Sequence, residues 1–218
     1  MGQYYLVTNV DKMEYLYSHN FNSGLKLMEH SYLHNDFVNA VERLLSPTGS
    51  WHRVHLVWAG DYMDEGIFLP TNAPKTKEGR VHNLYSYVNE YGKNALEGSD
   101  KLDRDTMSYE ERKKLGGELV EKWLPTLPKK GRYLVNHTKK VYLDLEAEKG
   151  NGETWGDGKT QVIIHPLPLL TSSGNDRGGG DYHGNKMKLV GSWAGDEISM
   201  EYEPMYEKMK PCNFREKN

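Results

Sequence analysis

The segment Ser173-Gly174-Asn175-Asp176-Arg177-Gly178-Gly179-Gly180-Asp181-Tyr182-His183-Gly184 holds the densest set of residues able to do chemistry. Three consecutive glycines leave the main chain bare, and successive N–H groups of such a run can form a nest for an anion. Arg177 adds a planar donor fork for phosphate or carboxylate. Tyr182, and Trp193 further on, supply aromatic faces on which a ring can stack. This reading gives an anionic, nucleotide-like small molecule, bound by Asn175, Arg177, Gly178, Gly179, Gly180, Tyr182 and Trp193. The segment is not a Walker A loop, because no Gly-Lys-Ser/Thr follows. Nor is it a dinucleotide fingerprint, because strands rather than a helix are expected after it. The plainer reading is a loop between strands whose glycines supply positive φ.

Carboxylates open a second chemistry. Trp58-Ala59-Gly60-Asp61 recurs as Trp193-Ala194-Gly195-Asp196. If the copies are related by a pseudo-twofold, Asp61 and Asp196 flank one cleft as a cation site or an acid and base. Otherwise each bonds the amides of its own turn. Asp181 and His183 can share a face as a catalytic acid–base pair, with Asp176 as a third member. These residues make a metal- or acid/base-dependent hydrolase of phosphoesters or N-glycosides the alternative function. A protein-interaction or inhibitor module, acting through aromatic surface and edge strands, is a third. No motif specifies a cofactor.

Other residue types point away from chemistry. The nine histidines form no His-Glu-x-x-His. His52 and His55 are expected on opposite sides of a strand. His30 and His34, near Glu29 and Asp36, make at most a weak metal set. The lone Cys212 excludes an internal disulfide and a cysteine zinc site. There is no Gly-x-Ser-x-Gly elbow.

The elements that must position these residues are readable in part. Tyr4–Val10 and Met13–Tyr17 are expected as a hairpin, and Asn35 as the cap of a helix carrying Phe37, Val38, Val41, Leu44 and Leu45. Trp51–Trp58 alternates as a strand. Leu84, Val88 and Tyr91 fall at helical spacing. Ser108 and Glu111 form a capping box ahead of Leu115, Leu119 and Trp123. A second hairpin is expected over Tyr133–Asn136 and Val141–Leu145, then strands at Gln161–His165, Lys188–Trp193 and Ile198–Tyr202. Asn9-x-x-Lys12-x-x-Tyr15-Leu16 is echoed by Asn136-x-x-Lys139-x-x-Tyr142-Leu143, in the same order as the tetrapeptides, which suggests internal duplication. The expected class is α+β. A first β-rich unit with one helix spans 1–69, a loop and helical connector 70–131, and a second β-rich unit with the Gly-rich loop 132–203. A frayed tail covers 204–218. The two units are expected to pack as one body.

The chain is also similar to a family of uncharacterised proteins of bacteria, phages and large viruses. The likeness rests on the Gly2-Gln3-Tyr4-Tyr5 start, Gly24-Leu25-Lys26-Leu27-Met28-Glu29, Trp58-Ala59-Gly60-Asp61-Tyr62 and His165-Pro166-Leu167-Pro168-Leu169-Leu170. It continues in Gly174-Asn175-Asp176-Arg177-Gly178-Gly179-Gly180-Asp181-Tyr182 and covers roughly 3–65 and 132–200. The resemblance implies an intact fold and no mechanism. Asp176 stands where the family pattern has Gly, and its charge opposes tight phosphate binding.

Composition sets the bounds. With 218 residues, 37% hydrophobic and a mean hydropathy of −0.79, the chain relies on its 15 Tyr and 5 Trp for buried area. A net charge of −3 gives no basic stripe, so nucleic acid is not an expected partner. No apolar run approaches the ~20 residues of a membrane helix, and no signal segment is evident. A cytoplasmic setting with no membrane partner is expected, with a small anionic ligand or a protein as partner.

Overall fold

The computed structural model describes residues 2–21, 23–33, 35–96, 107–108, 110–111, 114, 118, 121, 126, 131–148, 152–155, 160–175, 181–184, 186–204 and 209–214. The class is α+β. A nine-stranded mixed sheet runs through both strand-rich segments in the order β11-β6-β5-β10-β3-β1-β2-β4, with β9 also on β3. Its strands are β1 (Tyr5–Asn9), β2 (Glu14–Leu16), β3 (Val54–Gly60), β4 (Lys93–Asn94), β5 (Tyr133–Asn136), β6 (Val141–Asp144), β9 (Ser172–Ser173), β10 (Glu197–Glu201) and β11 (Lys210–Pro211). A separate hairpin joins β7 (Gly152–Trp155) to β8 (Thr160–Ile163).

β3 is the hub. It pairs antiparallel with β1 along one edge. On its other edge Val54 and His55 meet β10, while Trp58 and Ala59 meet β9 in parallel. Period-two alternation sends Leu56 and Trp58 to one face and Val57 and Ala59 to the other. The first face joins Tyr5, Val7, Ile198, Met200, Leu134 and Leu143 in the larger core. Helices α1 (Leu27–His30) and α2 (Asp36–Leu45) contribute to that core, as does a helix over Pro166–Thr171. The second face packs Leu6, Val57 and Ala59 against Leu84 and Val88 of α3 (Leu84–Tyr91).

The expected caps are present. Asn35 Oδ1 accepts from the Phe37 and Val38 amides at 2.8 and 3.4 Å. The Ser108–Glu111 box closes, with the Ser108 amide donating to Glu111 at 2.8 Å. Leu115, Leu119 and Trp123 of that expected helix lie outside the described residues.

Three expectations are corrected. Lys188–Trp193 is not a strand but a 3-10 turn at Met187–Leu189 followed by turns, because Gly191 adopts a φ of +72°, which an extended strand cannot contain. His165-Pro166-Leu167-Pro168 does not merely end a strand. It starts a helix, with Pro in the first turn, where its missing N–H has no helical partner to lose. The described tail residues 209–214 are not frayed: β11 pairs in parallel with β6, and Phe214 is buried in the core.

The tetrapeptides also fall in different places. Trp58, Ala59 and Gly60 end β3, whereas Trp193–Asp196 form the turn before β10. They are not the same corner used twice.

Candidate functional site

The N-terminal residues Gln3, Tyr4 and Tyr5 gather two carboxylates at one end of β1 and β3. Tyr5, the first residue of β1, faces the larger core with the Gln3 amide beside its hydroxyl, while Tyr4 lies near Tyr85 of α3. In the amide orientation that satisfies its neighbours, Gln3 Nε2 lies 3.1 Å from Asp181 Oδ2, Asn175 Oδ1 and the Tyr5 oxygen. Its Oε1 then accepts from the Tyr62 amide at 3.3 Å. The Tyr5 hydroxyl donates to Asp181 Oδ1 at 2.8 Å. Tyr4 holds the other carboxylate: its amide donates to Asp61 Oδ1 at 3.0 Å, and its carbonyl accepts from the Asp61 amide at 2.9 Å. Asn83 Nδ2 donates to the Asp61 carbonyl at 2.9 Å, tying the same corner to the cap of α3.

Electrostatics couple the pair. Asp181 is buried, whereas Asp61 is half-buried. Burial is the main cause that lifts the Asp61 carboxyl above the ordinary carboxylate range, opposed by the Tyr4 amide and reinforced by the nearby Asp181 charge. Burial, with the Asp61 charge second, pushes the Tyr85 phenol up to about 12. Tyr4 and Tyr62 each stand 44% exposed at this corner, so aromatic surface borders the carboxylate.

The close approach of Gln3 explains two glycines. A Cβ on Gly60 would fall on the Gln3 amide, and one on Gly174 would lie 2.7 Å from Gln3 and from the Tyr5 hydroxyl. Gly174→Ala is therefore expected to cost about 1–3 kcal/mol, as other overpacked sites do. A thermal melt would show it as a drop of several degrees. An unchanged midpoint would mean that Gln3 yields freely.

Among the described residues, the other expected site residues take separate places. Arg177, Gly178, Gly179 and Gly180, with Asp176, lie outside the described residues, as does His34. Asn175 joins the Gln3 network. Tyr182 is buried, its hydroxyl accepting from the Lys186 amide at 3.0 Å, and Trp193 is buried in the larger core. Rings packed in this way have no open face for a ligand to stack on. His183 is exposed while Asp181 is buried, so the two do not present one face.

Asp61 and Asp196 share no cleft. Leu56, four positions before Gly60 on β3, bonds the Asp196 carbonyl at 3.2 Å, whereas Asp61 follows Gly60 at the far end. At ~3.3 Å per strand residue, that separates them by roughly 16 Å. The Asp196 carboxylate bonds Asn136 at 2.8 Å and pairs with Lys139, which holds the β5–β6 turn. Among the described residues no group of three or more His, Cys, Asp and Glu is placed to hold a metal ion. His30 is a core histidine, with Nδ1 accepting from Trp58 Nε1 at 2.9 Å and Nε2 donating to the Gly24 carbonyl at 2.7 Å.

Sequence reasoning passed over Gln3, Tyr4 and Tyr85. The only signal was that Gly2-Gln3-Tyr4-Tyr5 opens the motifs of the resemblance. Comparison of the chain with family models, curated proteins and solved structures gives no match. No helix among the described residues is long and apolar enough to cross a membrane.

Proposed function

We propose that the corner formed by Asp61, Asp181 and Tyr4 is a hydrolytic site for an N-glycosidic bond. The carrying observation is that consecutive residues, Gln3 and Tyr4, fix a buried and a half-buried carboxylate at one strand end. N-glycoside cleavage builds positive charge on the sugar ring, and carboxylates held in place before the reaction favour that charge. The half-exposed Asp61 takes a proton from water as the water oxygen bonds to the anomeric carbon and the C–N electron pair leaves with the base. Asp181, buried beside it, acts through its charge on Asp61.

Phosphoesters suit this corner less well, since two carboxylates repel a phosphate. The anionic-ligand reading would rest on Arg177 and Gly178–Gly180, which lie outside the described residues.

The test is release of reducing sugar from a panel of N-glycosides. Asp61→Asn is expected to lower turnover about 100-fold or more, the usual effect of losing a positioned base, with the far-UV circular dichroism unchanged. No release by the intact chain from any member of the panel would overturn the reading.

Duplication also enters as inference, and the hairpins support it better than the tetrapeptides. Asn9 and Asn136 each accept, through Oδ1, the amide of the Lys three residues on, at 3.3 and 2.8 Å. The next residues, Val10 and His137, donate to His55 and Glu197, at 2.9 Å in both cases. His55 and Glu197 are themselves partners across β3 and β10. These matched bonds support a reading in which a twofold between those two strands relates the hairpins.

A further inference from the structure

We infer that the long loop between β3 and α3 carries a second site, which takes a small monocarboxylic acid with an apolar body, of the medium-chain aliphatic kind. The chain from Asp61 to Asn83 holds no helix and no named strand. Connections longer than ~12–15 residues without secondary structure of their own are uncommon in compact domains, and ordered ones are usually functional. This one is closed at its base. The Gly66 amide donates to the His82 carbonyl at 2.9 Å, and Glu65 and Asn83 form a β-bridge. Turns shape the rest, with the Ala73 amide on the Pro70 carbonyl and the Thr76 amide on the Arg80 carbonyl, each at 2.9 Å.

Phe68 pins the loop to the body of the protein. Its φ of +62° is one that an aromatic residue keeps only where surrounding contacts hold it. Its ring fills the space that a side chain on Gly195 would need, so the second Trp-Ala-Gly-Asp supplies its seat. The next residues then line a cavity of about 290 Å³, near the ~300 Å³ at which small-molecule pockets begin.

Leu69, Pro70, Ala73, Pro74 and Val81 give this cavity apolar walls, and the prolines fix φ along their stretch. Val81 is 43% exposed, so its wall faces water. Lys75 is the one charged residue lining the cavity, and among the described residues it has no ion pair or hydrogen bond. Glu78, nearby in the chain, faces Arg80 at 4.0 Å instead. Apolar walls beside a free ammonium select a ligand with a hydrocarbon body and one negative end. An alcohol lacks the charge, and a phosphate monoester, at about −2, exceeds a single cation. Size follows from volume. At ~30 Å³ per water the cavity holds roughly ten waters, or an acid of about as many non-hydrogen atoms, such as octanoate. None of Asp61, Asp181 and Tyr4 lines the cavity, so this inference and the hydrolytic reading fail independently.

The experiment titrates the isotopically labelled intact chain with octanoate, octanol and octylammonium, following the Ala73 and Val81 methyl signals by NMR. Octanoate is expected to saturate their shifts at millimolar concentration or below, about fivefold more tightly than octanol, the upper end for a part-exposed ion pair. Octylammonium should bind more weakly than octanol. Lys75→Met keeps the alkyl stem, removes the charge and should abolish the preference for the acid. Val81→Trp, with unchanged far-UV circular dichroism, should fill the cavity and stop both octanoate and octanol from binding. The inference is overturned by an absence of saturable shifts, by octanol binding as tightly as octanoate, by octanoate affinity indifferent to Lys75→Met, or by octanoate binding that survives Val81→Trp.

Discussion

Replacement of Glu42 by alanine is expected to destabilise the chain by about 3–5 kcal/mol, the range for breaking one side of a buried ion pair. Glu42 sits on α2 with its side chain fully buried. Its Oε2 accepts from Arg132 Nη1 at 2.6 Å, and its Oε1 accepts from His165 Nε2 at 2.8 Å. His165 Nδ1 accepts the Leu167 amide at 3.2 Å, so the proton of a neutral ring rests on Nε2, facing Glu42. One carboxylate thereby joins α2, the residue before β5 and the cap of the helix at Pro166–Thr171. Alanine would strand the Arg132 charge inside the protein, and that desolvation cost dominates the loss. Urea unfolding would measure it. The neighbouring Arg43–Glu121 pair gives the contrast: its Glu121 side chain is 72% exposed, so Glu121→Ala should cost less than 1 kcal/mol. Similar losses for both variants would refute the account.

Acid should remove stability through His30. This ring is buried, and burial, more than any other cause, lowers it to about 4 from 6.5. The sign follows from linkage. The folded chain keeps the imidazole neutral, and the unfolded chain binds a proton once pH falls below 6.5. The contribution is therefore complete above pH 6.5 and is lost as pH falls toward 4, by about 3 kcal/mol at ~1.4 kcal/mol per unit. His137 is lowered too, chiefly by burial, and works in the same direction. His30→Gln keeps a donor and an acceptor for Gly24 and Trp58 and has no proton to take up. It should be less stable than the wild type at pH 8 yet show a flatter decline between pH 6.5 and 4. An unchanged slope in the variant would assign the acid sensitivity elsewhere.

The first hairpin, the α2 cap at Asn35, the alternation of β3 and the helical face of Leu84 and Val88 were all legible along the chain. Each depends on neighbours within a turn or a strand pair. The helix at Pro166 was not, because two prolines read locally as a stop until His165 caps it. The burial of Trp193 and Tyr182 was equally hidden. An aromatic residue beside glycines looks the same in sequence whether it faces a ligand or the core.

By itself, then, the sequence determined the α+β class, the strand-forming runs and the glycines around residue 174, because dihedral preference and hydrophobic period act over a few residues. Only the tertiary structure decided which carboxylates meet. Asp61 joins Asp181, 120 positions away, rather than its repeated counterpart Asp196. The reason is strand pairing: antiparallel β1 brings Gln3 and Tyr4 to the end of β3, β9 carries the Asn175 loop to the same end, and β10 holds Asp196 at the other.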